Sequence, residues 1–320
     1  RHPQYRTLKE TLQRYRQIQA DGGWPRIGGG SKLTIGNTGT RVKALHRLLT
    51  ITVDLQADAW LPDDCFSPPL EAAVKRFQRR HGLTADGIVG RRTLAALNIP
   101  VEARMIQLML NMERWRWLPR ELGERYIMVN TADYRLEAIE NDQPVLSLRV
   151  ITGEKDRMTP VLSANLDVVQ FNPYWVVPEE IAAEELLPSQ QRNAGYFSAK
   201  GYRVFDKWGE DAVELDPLTI DWSIYNKNNF PYKILQDPGP KNALGRMKFI
   251  FRNAFAIYLH DTPHRRLFNE KQRAFSHGCV RVQNPTELAL YLLKGDEQWD
   301  QETVRETIAA GAEALPSIHL

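Results

Sequence analysis

The sequence predicts an α+β multidomain chain: a small three-helix module, followed by a mostly β, sandwich-like domain interrupted by a long lid or capping insertion. Three observations predict it. Residues 40–98 carry apolar residues at helical spacing and repeat themselves in miniature. Short β-rich runs begin near residue 125. That strand pattern lapses between Val176 and Gly245, then resumes. The 320 residues suffice for about two domains, each with its own core.

Tyr5, Leu8, Leu12, Tyr15 and Ile18 lay one apolar stripe along a helix that stops at Asp21-Gly22-Gly23. The stripe must pack on another element. From Gly22 to Gly39 there is no periodicity, so residues 1–39 read as a helical scaffold segment and its linker. Gly28-Gly29-Gly30 is not a phosphate loop, because no apolar strand precedes it and no Lys-Ser or Lys-Thr pair follows at the required spacing. Arg1 to Arg6 hold neither an initiator Met nor the apolar core of a secretory signal, as expected of a processed or trimmed chain.

Within residues 40–98, Val42, Leu45 and Leu48 face one helix inward, and Leu70, Val74 and Phe77 do the same for the next. Asp63, Phe66, Ala72, Ala73 and Val74 are answered later by Asp86, Val89, Ala95, Ala96 and Leu97, each copy a polar turn running into a helix. Gly82 stops the middle helix, and Asp86-Gly87 reverses the chain before the last. A helical connector follows over residues 99–124, with Met105, Ile106, Met109, Leu110 and Met112 on its apolar side, a pattern that usually marks core.

The β domain is expected over residues 125–296, with strands at Tyr126–Asn130, Tyr134–Ile139, Val145–Thr152, Leu166–Phe171, Met247–Phe251 and Ala256–His260. Residues 177–244 are too many for a plain loop and read as a capping insertion over a site, with a helical stretch at Glu179–Leu187 and the aromatics Trp208, Trp222, Tyr225 and Tyr232. Residues 297–320 form a C-terminal helical tail. Lys and Arg number 42 against 39 Asp and Glu, a net charge of +3 with the signs interspersed, which excludes a nucleic-acid footprint. The longest uncharged stretch, Val168 to Pro178, falls well short of the ~20 apolar residues of a spanning helix.

Cys279 sits in Phe275-Ser276-His277-Gly278-Cys279-Val280-Arg281-Val282, at a turn-to-strand junction. Neighbouring positive charge favours its thiolate. His260 ends the strand from Ala256, where Tyr258 and His260 share one face and Ile257 and Leu259 the other. A thiol nucleophile needs a base and an anion-stabilising cradle. His260 and the backbone amides around Gly278 have that chemistry, and glycine at 278 lets the backbone approach a substrate carbonyl. Arg281 shares the face of Cys279 on a strand and keeps the site electropositive; His277 shares it on the other side if the strand extends there. Cys65, in the turn Asp63-Asp64-Cys65-Phe66-Ser67, reads as a small, partly buried hydrophobe with a different job. A zinc site from His260, His264, His277 and Cys279 is disfavoured, since the four-residue histidine spacing suits a helix and Pro263 argues against one. The order His before Cys is opposite to that of papain-like peptidases.

Two resemblances follow from these residues. Phe77-Gln78-Arg79-Arg80-His81-Gly82-Leu83-Thr84-Ala85-Asp86-Gly87-Ile88-Val89-Gly90, with Thr93 to Asn98 behind it, resembles the peptidoglycan-binding module that accompanies many cell-wall enzymes. His260, then Ser276-His277-Gly278-Cys279 and Arg281, resemble the signature of the YkuD-type L,D-transpeptidase catalytic domain, over about Tyr126 to Leu293 and including Asn242-Ala243-Leu244-Gly245. Module, insertion and Tyr258-Leu259-His260-Asp261-Thr262-Pro263 together resemble the large YcbB-like enzymes of Gram-negative bacteria, although many relatives have glycine where Asp261 stands.

The resemblance implies a cysteine acyltransferase that forms 3→3 cross-links between meso-diaminopimelate residues through a thioester, with release of D-alanine. It implies Cys279, His260, Asp261, Gly278 and Arg281 as the catalytic set, and Tyr258, His277, Ser276 and Trp175 as substrate-binding residues. Tetrapeptide stems of peptidoglycan are the implied donor and acceptor, and carbapenem β-lactams the implied covalent inhibitors. No cofactor or metal is implied, and a periplasmic location follows, tethered to the inner membrane in the full-length protein. An L,D-carboxypeptidase, a lipoprotein-attaching L,D-transpeptidase and a non-catalytic wall-binding protein remain as alternatives.

Overall fold

The computed structural model describes residues 2–56 and 63–320. The chain divides into two units, Arg1–Gly123 and Glu124–Leu320. Among the described residues no helix is long and apolar enough to cross a membrane.

In the first unit the helices are α1 (Pro3–Ala20), α2 (Thr40–Ile51), α3 (Pro68–Arg80), α4 (Arg91–Leu97) and α5 (Val101–Trp117). The stripe on α1 buries Leu12 and Tyr15, and α1 lies along α5. The residues predicted to face inward from α2 and α3 form one core with Val89 and Leu97, among them Val42, Leu45, Leu70, Val74 and Phe77. The turn before α4 is tied to that core by a buried amide. Gln78 donates to Asp86 Oδ1 (2.8 Å), the Ile88 carbonyl (3.0 Å) and Thr93 Oγ1 (3.1 Å), and accepts from the Gly87 N–H (2.9 Å). Cys65 and Cys279 are both free thiols. The apolar side of α5 departs from expectation: Val101 and Met112 are buried, whereas Ile106, Met109 and Leu110 are exposed. Periodicity defined a face there without defining what covers it.

The second unit is built on a nine-stranded mixed sheet. Its strands are β1 (Arg125–Asn130), β2 (Arg135–Glu140), β3 (Gln143–Gly153), β4 (Leu166–Phe171), β9 (Met247–Phe251), β10 (Leu259–His260), β11 (Ala274–Ser276), β12 (Val280–Val282) and β13 (Ser317–His319). They run in the order β1-β2-β3-β12-β10-β9-β4-β13, with β11 also on β3. The capping insertion has a sheet of its own, from β5 (Trp175–Val176), β6 (Tyr202–Phe205), β7 (Glu214–Leu215) and β8 (Lys233–Gln236) in the order β5-β8-β6-β7. Its helices are α6 (Glu179–Ile181), a π-turn at Ala182–Leu186, α7 (Leu187–Arg192) and α8 (Tyr196–Lys200). These strands of two to four residues are too short to print a period on the sequence, which is why the region reads as lacking sheet.

Pleat alternation assigns the faces of the large sheet. Leu259, Val280, Val282, Phe249, Met247 and Val169 point to a core closed by Leu288 and Ala289 of α9 (Pro285–Leu292), Leu293, and Val304 of α10 (Gln301–Ala310). Lys248, Tyr258, His260, Cys279 and Arg281 alternate with them and belong to the other face. Tyr258 there packs on the capping core around Trp175, Phe197 and Trp222.

Two boundaries differ from the sequence reading. The strand expected at Ala256–His260 is paired only at Leu259–His260, because Ala256 turns at φ +53° and Asn253 holds that turn with bonds to the Ile257 carbonyl and the Phe255 and Ile257 amides. The tail at 297–320 is helical through α10, but Ser317–His319 then adds a strand against β4.

Replacing Gln78 by Leu keeps the volume but leaves the buried Gly87 N–H unpaired, at about 1–3 kcal/mol, while the Ile88 carbonyl keeps its bond from the Gly90 amide. Expected is a lower unfolding transition for the first unit and faster amide exchange at Gly87, with the second unit's transition unmoved. Unchanged exchange at Gly87 would contradict the assignment.

Candidate active site

The site is assembled by strand register. β10 runs parallel to β12 with Leu259 opposite Val280 and His260 opposite Arg281, while β9 runs antiparallel on the other side with Lys248 opposite His260. The Val280 amide donates to the Tyr258 carbonyl (3.1 Å). Tyr258 is therefore level with Cys279, and His260 with Arg281, so thiol and imidazole stand on one face, two residues apart along neighbouring strands.

The turn carrying the thiol is pinned from within. Ser276 is buried; its hydroxyl donates to the Cys279 carbonyl (2.5 Å) and accepts from the Gly278 amide (3.2 Å). The Gly278 carbonyl accepts from Thr159 Oγ1 (2.7 Å), which in turn accepts from the Gly153 amide (2.9 Å). Gly278 lies at φ +116°, where a side chain is strained, and a Cβ there would come within 3.0 Å of Ile257 Cδ1. Glycine is thus required by backbone conformation as well as by space.

His260 is buried, and its Nδ1 lies 2.5 Å from the Asp261 carbonyl oxygen. A carbonyl only accepts, so Nδ1 carries the proton and Nε2 is left as the base. The Asp261 carboxylate points elsewhere, accepting from the Arg246 amide (2.8 Å) and from Arg265 Nη2 (2.7 Å). Gly245 makes room for it, since a Cβ at that position would sit 2.3 Å from Asp261 Oδ2. Asp261 therefore serves the site through its main chain and anchors the 242–246 turn through its side chain.

Tyr258 links the cap to the sulfur. The sulfur lies 3.9 Å from the Ala256 carbonyl, and Tyr258, which packs on the cap core that holds Trp175, acts on the thiol to favour its thiolate. The Tyr258 and His260 rings meet edge to face at 5.6 Å, and Lys248 Nζ stands 4.1 Å from the Tyr258 ring centroid.

Burial pushes the Cys279 thiol up, against the bonds from Tyr258 and the charges of Lys248 and Arg281, which pull it down. Burial, reinforced by Arg281 and Lys248 and opposed by the bond to Asp261, takes His260 down to about 3. Tyr258 is held well above the usual phenol range by burial and by the neighbouring sulfur. At neutral pH the pair rests as thiol and neutral imidazole.

His277 bonds Glu185 of the capping π-turn. Arg157 reaches Glu185 (3.2 Å), Glu184 (2.9 Å) and Glu180 (3.4 Å) of the same segment, so the loop after β3 holds the cap by charge and the loop before Cys279 holds it through the His277 bond. Of the sequence-derived site residues, Tyr258, His260, Cys279 and Arg281 come together on one face, and Trp175 joins them through Tyr258. Ser276 and His277 are engaged by the turn and the cap respectively. Among the described residues no three His, Cys, Asp or Glu side chains gather as a metal-ligand set. Sequence reasoning missed Lys248, Arg157 and the three cap glutamates. A lone lysine in the apolar run Met247-Lys248-Phe249-Ile250-Phe251, on the face opposite Met247 and Phe249, was the signal for the first.

Residues 124–304 match the family model described as "L,D-transpeptidase catalytic domain", and residues 38–97 match that of a "Putative peptidoglycan binding domain". A "Putative L,D-transpeptidase" of Haemophilus influenzae is 39% identical over 204 residues, which make up 64% of this chain and 40% of that protein. The chain thus spans less than half the length of this curated relative. Among solved structures, the L,D-transpeptidase of Xylanimonas cellulosilytica aligns over 84% of this chain and 93% of its own, at 18% identity and a TM-score of 0.22. The L,D-transpeptidase of Stackebrandtia nassauensis aligns over 81% and 89%, at 16% identity and a TM-score of 0.28.

Two titrations test the electrostatics. In a Cys65→Ser background, the pH midpoint for alkylation of Cys279 is expected to lie higher in the folded chain than in urea, because burial disfavours the thiolate; a lower midpoint in the fold would refute it. His260 is depressed in the fold, so its contribution is present above the unfolded value of 6.5 and is lost as pH falls from there toward about 3. Wild type should lose stability faster over that window than His260→Gln, as read by chemical unfolding; parallel losses would contradict the burial of a neutral imidazole.

Proposed function

Because the chain belongs to the L,D-transpeptidase catalytic-domain family, we propose that it joins peptidoglycan stems by 3→3 cross-links through a thioester on Cys279. The observation that supports this reading most is the shared face of β10 and β12, which carries both the Cys279 thiol and an imidazole whose Nδ1 is occupied, leaving Nε2 to take a proton.

With thiol and imidazole both neutral at rest, proton transfer accompanies attack rather than preceding it. Sγ attacks the carbonyl of the amide between the L-centre of diaminopimelate and the terminal D-alanine, while Nε2 of His260 takes the thiol proton. The Tyr258 hydroxyl and the charges of Lys248 and Arg281 favour negative charge at sulfur as the S–H bond breaks. The Gly278 amide is held by Ser276, so the oxyanion cradle falls to the Cys279 amide beside it. His260 then returns its proton to the amine of D-alanine, which leaves, and the thioester remains. The side-chain amine of a second stem attacks that thioester, His260 accepts the amine's proton, and sulfur regains it as the new amide forms. General acid–base help of this kind is worth about 10²–10⁴ in rate. The peptidoglycan-binding module fits the same polymer, and a periplasmic location is proposed to go with that substrate.

Incubation with a disaccharide-tetrapeptide is expected to release D-alanine, yield dimers and add the tripeptide acyl mass to the intact protein, with a carbapenem forming its own stable adduct. Cys279→Ala should lose both adducts, and Cys65→Ser neither. D-alanine release without dimers would make the enzyme a carboxypeptidase, and an adduct retained in Cys279→Ala would overturn the assignment.

A further inference from the structure

We propose that Lys248 and Arg281 form a carboxylate-recognition site flanking the base, so that a donor peptide is accepted only when it presents a carboxylate beside the bond to be cleaved. The inference rests on the acyl-transfer reading above and names what that site selects.

Lys248, His260 and Arg281 form one row across β9, β10 and β12. With strands about 4.8 Å apart, the two cations bracket the imidazole on the face that carries Cys279. Both act on the sulfur and on His260. Among the described residues neither forms an ion pair with a carboxylate. Lys248 is half-buried with its charge against the Tyr258 ring, an arrangement that leaves its N–H groups to other acceptors. Arg281 Nε is buried with no hydrogen-bond partner. The carboxylate that Arg281 feels is Glu185, which is already bound to Arg157 and His277.

Two desolvated cations beside a neutral histidine are costly unless an anion joins them, and the geometry leaves that anion to the ligand. A planar carboxylate suits a guanidinium on one side and an ammonium on the other. A tetrapeptide stem offers two such groups near the scissile amide, one on the terminal D-residue and one on the D-centre of diaminopimelate. Seated between Lys248 and Arg281, either offsets the two positive charges that oppose a protonated His260. The correct donor therefore also prepares the base.

Three synthetic donors distinguish the sources: the free acid, the C-terminal amide, and the peptide amidated at the diaminopimelate carboxylate. Acylation of Cys279, read by intact mass against time and donor concentration, is expected to weaken with one of the amides by at least about 30-fold in wild type, the low end for losing a buried charge pair. The sensitive arm identifies the carboxylate. In Lys248→Met the free acid should fall to the level of that amide and the penalty for amidation should collapse, while Lys248→Arg recovers most of the discrimination. Residual acylation of Lys248→Met by the amide shows its site assembled. Wild-type rates within about threefold for all three donors, the scale of an exposed ion pair, would overturn the inference while leaving the acyl-transfer reading intact. So would an amidation penalty that survives undiminished in Lys248→Met. Failure of every donor to acylate wild-type Cys279 would instead remove the acyl-transfer reading, and the inference with it.

Discussion

The in-register parallel pairing of two very short strands, Leu259–His260 and Val280–Val282, is the constraint on which the site depends. A one-residue slip of either strand would turn its own polar residue, His260 or Cys279, into the core and bring Leu259 or Val280 out. Several features oppose that slip. Leu259, Val280 and Val282 are buried against Phe249, Leu288 and Val304 on the far face. The Ser276 hydroxyl fixes the turn before the thiol, and Gly278 occupies a conformation that side chains avoid. The Asp261 carboxylate, anchored by the Arg246 amide and Arg265, holds the end of β10. The apolar core and the polar turn select the same register, and His260 and Cys279 inherit their positions from it.

That placement has an electrostatic consequence. The imidazole and thiol are withdrawn from water far enough that neither carries charge at rest, although Lys248 and Arg281 stand on either side. A site of this kind is quiet until a ligand supplies negative charge and a carbonyl to attack. The cap belongs to the same arrangement: its core, Trp175 included, packs against Tyr258, and three glutamates of its helical segment are held by Arg157, one of them also by His277.

Much of this was legible in the residue string. Helical periodicity located the three-helix core from Val42 to Leu97, and the run from Ser276 to Arg281 with His260 marked residues that the sheet brings to one face. The shared face of Tyr258 and His260 followed from strand alternation alone, as did that of Cys279 and Arg281. What stayed hidden depended on pairing between distant segments. Lys248 gains its role only when β9 meets β10, and Arg157 only when the loop after β3 meets the cap. The small cap sheet escaped because its strands are too short to show a period, and β13 because an edge strand needs only a free partner edge. On α5, Ile106, Met109 and Leu110 had the right spacing for a core and remain exposed, since spacing describes a face and not its neighbour. Ser276 read as part of a substrate-facing motif, yet its hydroxyl is engaged within the turn.

The claim at the centre of the account is that the Asp261 carbonyl holds the proton on Nδ1 of a neutral His260. Nitrogen-15 NMR of the labelled imidazole in the resting protein tests it most directly. The account predicts the Nδ1–H tautomer, uncharged from pH 8 down to pH 5. An Nε2–H tautomer, or an imidazolium at neutral pH, would contradict it.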